Sequence, residues 1–145
     1  MLSRHRVDEL LTAIGEKTPA PASGAATAVT GALAAALAEL SARFAEDDAG
    51  IARARELASE LVQLGDEDAA AYAAFMADRN DRTRAEIVRV PEEIASRADE
   101  VADIADRAAA KLKSSVAGDA KASAALARAA AAVARGLAEL NRAGS

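Results

Sequence analysis

Residues 18–38 read TPAPASGAATAVTGALAAALA. Two prolines and a run of small residues lead into about five helical turns without one charged side chain. A surface helix of a water-soluble bundle carries a polar face, and this one has none. It is therefore expected to run from about Ser23, its N-cap, to about Glu46, buried on nearly every side by its own bundle and by a second copy of the chain. Val29, Leu33, Leu37, Leu40 and Phe44 form a heptad-like seam along it, opposite a side of Ala, Thr and Gly31. By length such a stretch also suits a membrane span. Alanine and glycine contribute little transfer energy and no aromatic belt flanks them, so no membrane is expected as a partner.

Working outward, the preceding segment repeats Val7, Leu10, Leu11 and Ile14 at helical spacing from a cap at Ser3 to Gly15. Pro19 and Pro21 then make an extended loop. A third helix is expected from about Ala49 to Ala77 on Leu57, Leu61, Leu64, Ala71, Tyr72 and Phe75. Residues 78–90, DRNDRTRAEIVRV, are the most charged and least periodic stretch and read as a connection. Pro91 suits the first position of a fourth helix to about Lys113, with Glu92 and Glu93 at its positive end. Asp119 is placed to cap a fifth, whose seam is Leu126, Ala130, Val133, Leu137 and Leu140. The expected fold is all-α, an up-and-down bundle of about five helices, four of them long, spanning residues 1–145 as one domain and pairing as a homodimer.

Composition agrees. Alanine is about three residues in ten of the 145, the best helix former and small enough to let helices approach closely. The chain has no cysteine and one histidine, His5, so a thiolate metal site is impossible and no metal signature is present. A net charge of −5 argues against nucleic acid, which needs clustered positive charge. No targeting peptide is evident at the start, and a cytoplasmic location is expected.

Asp68 is the most informative residue. At 100° per residue it falls within the stripe of Leu57, Leu61, Leu64 and Phe75, whereas Asp66 projects to the opposite side. An unpaired carboxylate there costs several kcal/mol or takes up a proton, so its presence implies a partner, a cavity or a function. A structural Asp tied to a helix end, an arginine or a backbone group fits the same position. Ser23 and Asp119, at helix N-termini, are either plain caps or binding edges for an anionic ligand group. Tyr72, one turn beyond Asp68, is a core aromatic or a hydrogen-bond donor to the carboxylate or a ligand. Lys111 and Lys113, with Ser114 and Ser115, either compensate a helix dipole or attract a carboxylate tail.

These residues resemble a known family. The loop TPAPASGAATAVTGALAAALAEL, then LGDEDAAAY at residues 64–72, then a proline-started helix and GDA before the last one, are similar in order to the formiminotetrahydrofolate cyclodeaminase and methenyltetrahydrofolate cyclohydrolase family. Leu64, Asp66, Asp68, Ala69, Ala71 and Tyr72 match the family's L-x-D-x-D-A-x-A-F/Y stretch, and Asp119 with Ala120 match its S-D-A entry to the final helix. The loop differs: where the family has P-G-G-G-S, this chain has Pro21, Ala22, Ser23, Gly24 and Ala25. Neither asparagine of the family's N-V-x-x-N-L pattern occurs over residues 135–140.

The resemblance implies a dimeric helical bundle that closes a formimino-folate to the methenyl form with loss of ammonia, or interconverts methenyl- and formyl-folate. Folate would be the substrate, with no further cofactor. It implies Asp68 as the catalytic acid and Pro21, Ser23, Gly24, Tyr72 and Asp119 as substrate-binding residues. The altered loop keeps two other expectations open, a diverged cyclase with a non-folate substrate and a catalytically silent dimeric scaffold. The scaffold predicts no cavity at Asp68 and a structural salt bridge to its carboxylate.

Overall fold

A computed structural model describes residues 1–144, except the side chain of Ser114. After a 3-10 turn at Leu2–Arg4 come α1 (Val7–Gly15), α2 (Ser23–Phe44), α3 (Asp48–Ala77), α4 (Asp81–Lys111) and α5 (Ser114–Arg142), with no strand among the described residues. The four long helices form the bundle, α2 packing on α3, α4 and α5.

The bulk of the core comes from α3 and α4. Leu57, Leu61, Leu64 and Phe75 interdigitate with Ile87, Val90, Ile94, Val101 and Ile104, all buried. Against them α2 and α5 present almost only small residues: Ala28, Ala34, Ala35 and Ala38 from one, Ala124, Ala127, Ala131 and Ala134 from the other. This spacing is tight. A Cβ on Gly31 would lie 3.3 Å from Leu61 Cδ1, and the Ser123 hydroxyl donates to the backbone carbonyl of Ala34 at 2.7 Å. Such a bond between a side chain and another helix's backbone needs helices with small residues at their contact.

The smallness of that inner face turns α2 over relative to the sequence expectation. Its heptad-like seam does not face the core: Leu33 is 61% exposed, Phe44 58% and Leu40 40%. Close approach of the alanine side gains more contacts than leucines could make on helices already filled by α3 and α4, so the large residues are left outside. The same inversion holds in α5, where Val133 is 50% and Leu126 40% exposed while Ala130 is buried. Within one chain, then, α2 is half covered rather than buried on nearly every side. α1 buries no residue, and its Val7 and Leu11 are exposed.

Several boundaries also move, each for a local reason. Residues 78–90 are not a connection: α4 starts at Asp81, because Asn80 Oδ1 accepts the Thr83 N–H at 2.9 Å while Thr83 Oγ1 accepts the Asn80 N–H at 3.1 Å, a reciprocal cap. Ile87, Val90 and Ile94 then continue one apolar stripe through the charges, and Pro91 sits inside the helix. α1 starts at Val7, where the Glu9 side chain accepts the Arg6 N–H at 2.8 Å, so Ser3 is not its cap. α2 is preceded by Ala22, with Ser23 as its first residue rather than its cap. α5 starts at Ser114, so Asp119 is an exposed residue inside a helix and not a cap.

Ion pairs line the flanks of the bundle. Arg53 bridges Glu60 at 3.1 Å and Glu100 at 2.8 Å, Arg97 reaches Glu60, and Arg128 and Arg135 of α5 reach Asp106 and Asp99 of α4. Exposed pairs of this kind add little stability each. Their value here is placement, since they leave the outer stripes of α2 and α5 uncharged.

Candidate functional site

Asp66 and Asp68, two residues apart on α3, do different things. Asp66 Oδ1 accepts the Leu2 N–H at 2.9 Å, and Leu2 fills a notch at Gly65, where an added Cβ would sit 2.5 Å from Leu2 Cδ1 and 3.0 Å from Ala28 Cβ. The first carboxylate thus pins the N-terminus to the bundle, a role its position off the apolar stripe did not suggest. Asp68, on the stripe, lies against the start of α2 so closely that a Cβ at Gly24 would overlap its carboxylate. Only glycine lets backbone and carboxylate meet there.

Around that contact is a cavity of about 260 Å³. The loop before α2 supplies Pro19, Ala20, Pro21 and Ala22, α2 supplies Ser23 and Gly24, α3 supplies Asp68, Ala69 and Tyr72, and Ile87, Leu137 and Asn141 close it from α4 and α5. Five of the six residues expected at a site therefore meet: Pro21, Ser23, Gly24, Asp68 and Tyr72. Asp119 does not line it. It lies 22 residues before Asn141 along α5, about 33 Å away at 1.5 Å per residue, at the other end of the bundle. Lys111 and Lys113 are at that far end too, and the Ser114 side chain lies outside the described residues.

No Lys, Arg or His is among the lining residues. The Asp68 carboxyl makes no ion pair or hydrogen bond with another described residue, and burial pushes its pKa above the ordinary value, because a charge is poorly solvated against Pro, Ala and Ile walls. Polar complement comes from the backbone: no side chain caps α2, so its first N–H groups stay open beside the Asp68 carboxyl. The Tyr72 hydroxyl, on an exposed side chain one turn along α3, adds a donor. A structural salt bridge without a cavity, which a silent scaffold required, is not what surrounds this carboxylate.

The family model for formiminotransferase-cyclodeaminase matches residues 6–144. The chain belongs to this family. Its fold is also that of a solved structure, the formiminotetrahydrofolate cyclodeaminase of Thermotoga maritima, at a TM-score of 0.92 and 22% identity over 99% of this chain and 81% of that one. No curated protein matches the chain. Membership in the formiminotransferase-cyclodeaminase family accords with the LGDEDAAAY segment, of which Asp66 holds Leu2 and Asp68 and Tyr72 line the cavity.

Among the lining residues not expected at a site, the three from α4 and α5 lie outside the motifs that the sequence offered. Ile87 was hidden in the supposed connection, Leu137 was assigned to a core seam, and Asn141 fell beyond the stretch compared with the family's asparagines. A signal for Asn141 existed: it is the one amide in an alanine-rich last helix.

The Gly24 contact yields a direct test. Gly24→Ala must move either the α2 start or the Asp68 side chain, whose carboxyl is the movable end of the contact. The Asp68 carboxyl should then leave its apolar wall, and its titration midpoint, followed by NMR, should fall back toward that of an ordinary aspartate. A midpoint unchanged from the wild type would contradict the contact.

Proposed function

We propose that the chain is a cyclodeaminase acting on a formimino-folate, with Asp68 as the acid and base. The observation that carries this reading is a carboxyl whose hold on its proton is strengthened by burial, facing a cation-free cavity next to an open helix N-terminus. Ring closure joins a substrate amine nitrogen to the amidine carbon of the formimino group. As that C–N bond forms, the C–N bond to the departing nitrogen breaks. With the formimino group bound as its amidinium, the departing nitrogen already carries two hydrogens; Asp68 gives it the third to release ammonia and recovers a proton from the nitrogen that attacked, so protons and charge balance over the cycle. An acid whose pKa is raised by an apolar wall suits the first transfer.

A cavity of about 260 Å³ holds the reacting end of a folate and leaves the remainder outside. The homodimer supplies the surroundings for that remainder. Leu137 lines the cavity and belongs to the same uncharged side of α5 as Val133, beside the outward seam of α2. Contiguous exposed apolar surface of this kind marks an interaction face, and covering it with a second copy brings the partner subunit next to the cavity mouth. The compact cavity also supports the second reading, the same chemistry on a smaller amidine.

Incubation with 5-formiminotetrahydrofolate tests the proposal. Ammonia and the methenyl product should appear in equal amounts. Hydrolysis or formation of 5,10-methenyltetrahydrofolate without ammonia release would assign the cyclohydrolase reaction instead, and no turnover of either folate would overturn the folate reading.

A further inference from the structure

Pro91 inside α4 leaves a backbone acceptor without its helical partner. The carbonyl of residue 87 would accept the N–H of residue 91, but proline has none, and its ring crowds that carbonyl. The Asn141 Nδ2 donates to the Ile87 carbonyl oxygen at 2.6 Å. From the other side, Arg84 donates to the backbone carbonyl of Asn141 at 3.0 Å, with its guanidinium 5.0 Å from the centre of the Phe75 ring. The end of α5 is thereby locked to α4.

This fixes which way the amide faces. A carbonyl only accepts, so the Asn141 nitrogen must point at Ile87 and the Oδ1 must point away from it. That oxygen accepts no hydrogen bond from a described residue, yet no buried side-chain oxygen or nitrogen among the described residues lacks a partner. Oδ1 is therefore open to solvent on a residue that lines the Asp68 cavity.

We propose that Asn141 is a specificity residue: its Oδ1, aimed by the carbonyl that Pro91 orphans, is the one side-chain acceptor of the cavity besides Asp68 that carries no hydrogen of its own, and it binds an N–H of an amidinium group. The proposal rests on Asp68 facing the ligand, not on the ligand being a folate. Two acceptors and no cation on the walls match a planar cation with N–H groups on both nitrogens. A carboxylamide offers donors from one nitrogen only, so it reaches one of these two acceptors and leaves the other without a donor, even where its oxygen turns to the α2 N–H groups. A carboxylate offers none.

Benzamidinium and benzamide, nearly equal in size, serve as probes in NMR titrations of the full chain. The wild type is expected to bind benzamidinium at least about tenfold more tightly than benzamide, the scale of one hydrogen bond to a charged group. Asn141→Leu should lower benzamidinium affinity by about tenfold and change benzamide binding much less. Pro91→Ala supplies the Ile87 carbonyl with its own helical N–H and releases the Asn141 amide. It should weaken benzamidinium binding in the same direction while circular dichroism shows α4 intact, and it serves where Asn141→Leu does not fold. Equal binding of the two probes by the wild type, or unchanged benzamidinium affinity in the folded variants, overturns the proposal. Amidinium preference without folate turnover would defeat only the folate reading.

Discussion

Asp68→Asn is expected to lower the rate of ammonia release by about 10²–10⁴-fold, the usual contribution of a positioned acid or base. Asparagine keeps the shape of the side chain and one acceptor oxygen but loses both the charge and the transferable proton, so substrate affinity should fall as well, by less than turnover. The same substitution has an opposite effect on the fold. Burial raises the Asp68 pKa above its unfolded value, so the folded state holds the proton more tightly than the unfolded one. Stability is then full at acid pH, where both states are protonated, and falls as pH rises from the unfolded to the folded pKa. Above the folded pKa the wild type carries the whole cost of the buried charge. The asparagine variant should gain in melting temperature over the wild type as pH rises through the folded pKa, with the difference shrinking at pH values below the unfolded pKa. A variant that keeps most of its turnover would remove Asp68 from the mechanism, and one that melts lower at neutral pH would show that the carboxylate is paired.

The second large effect concerns assembly. Leu33→Asp together with Val133→Asp places a charge on each uncharged outer stripe, at side chains 61% and 50% exposed in the single chain. If a second copy covers those stripes, each unpaired charge costs several kcal/mol on association. The dimer dissociation constant should then rise by at least about 10³-fold. In sedimentation equilibrium at micromolar concentration the wild type should run as a dimer and the double variant as a helical monomer. Folate turnover should fall with the dimer, because the cavity mouth adjoins the face that α5 presents. A wild type that is monomeric at these concentrations, or a double variant that still dimerises, would place the interface elsewhere or remove it.

The fold was legible in the sequence to the extent that it depends on local chemistry. Alanine content and 3/4 spacing locate four long helices, and the stripe on α3 places Asp68 at a cavity one turn from Tyr72. What failed was the inference from large residues to the core. Helices made mostly of alanine gain most from backbone proximity, and that gain puts Leu33, Leu40, Phe44 and Val133 outside. The charges of residues 78–90 likewise concealed the Asn80 cap and the stripe of Ile87, Val90 and Ile94. Ser23 and Asp119 looked alike as capping residues, yet one begins a helix at the cavity and the other lies inside a helix far from it. Asn141 stands out in the sequence as the one amide of the last helix, but its partner does not. Its role depends on a carbonyl set free by a proline 50 residues earlier, a long-range relation that no local spacing encodes.

Apolar walls raise the Asp68 pKa inside a cation-free cavity, which makes its carboxylic acid better placed to protonate a departing amine. Selective ¹³C labelling of aspartate and titration of the Asp68 carboxyl carbon by NMR, assigned with the asparagine variant, measures it directly. A midpoint clearly above that of an ordinary aspartate is the predicted result. A midpoint at or below the ordinary value, as the dipole of α2 acting alone would produce, would contradict it.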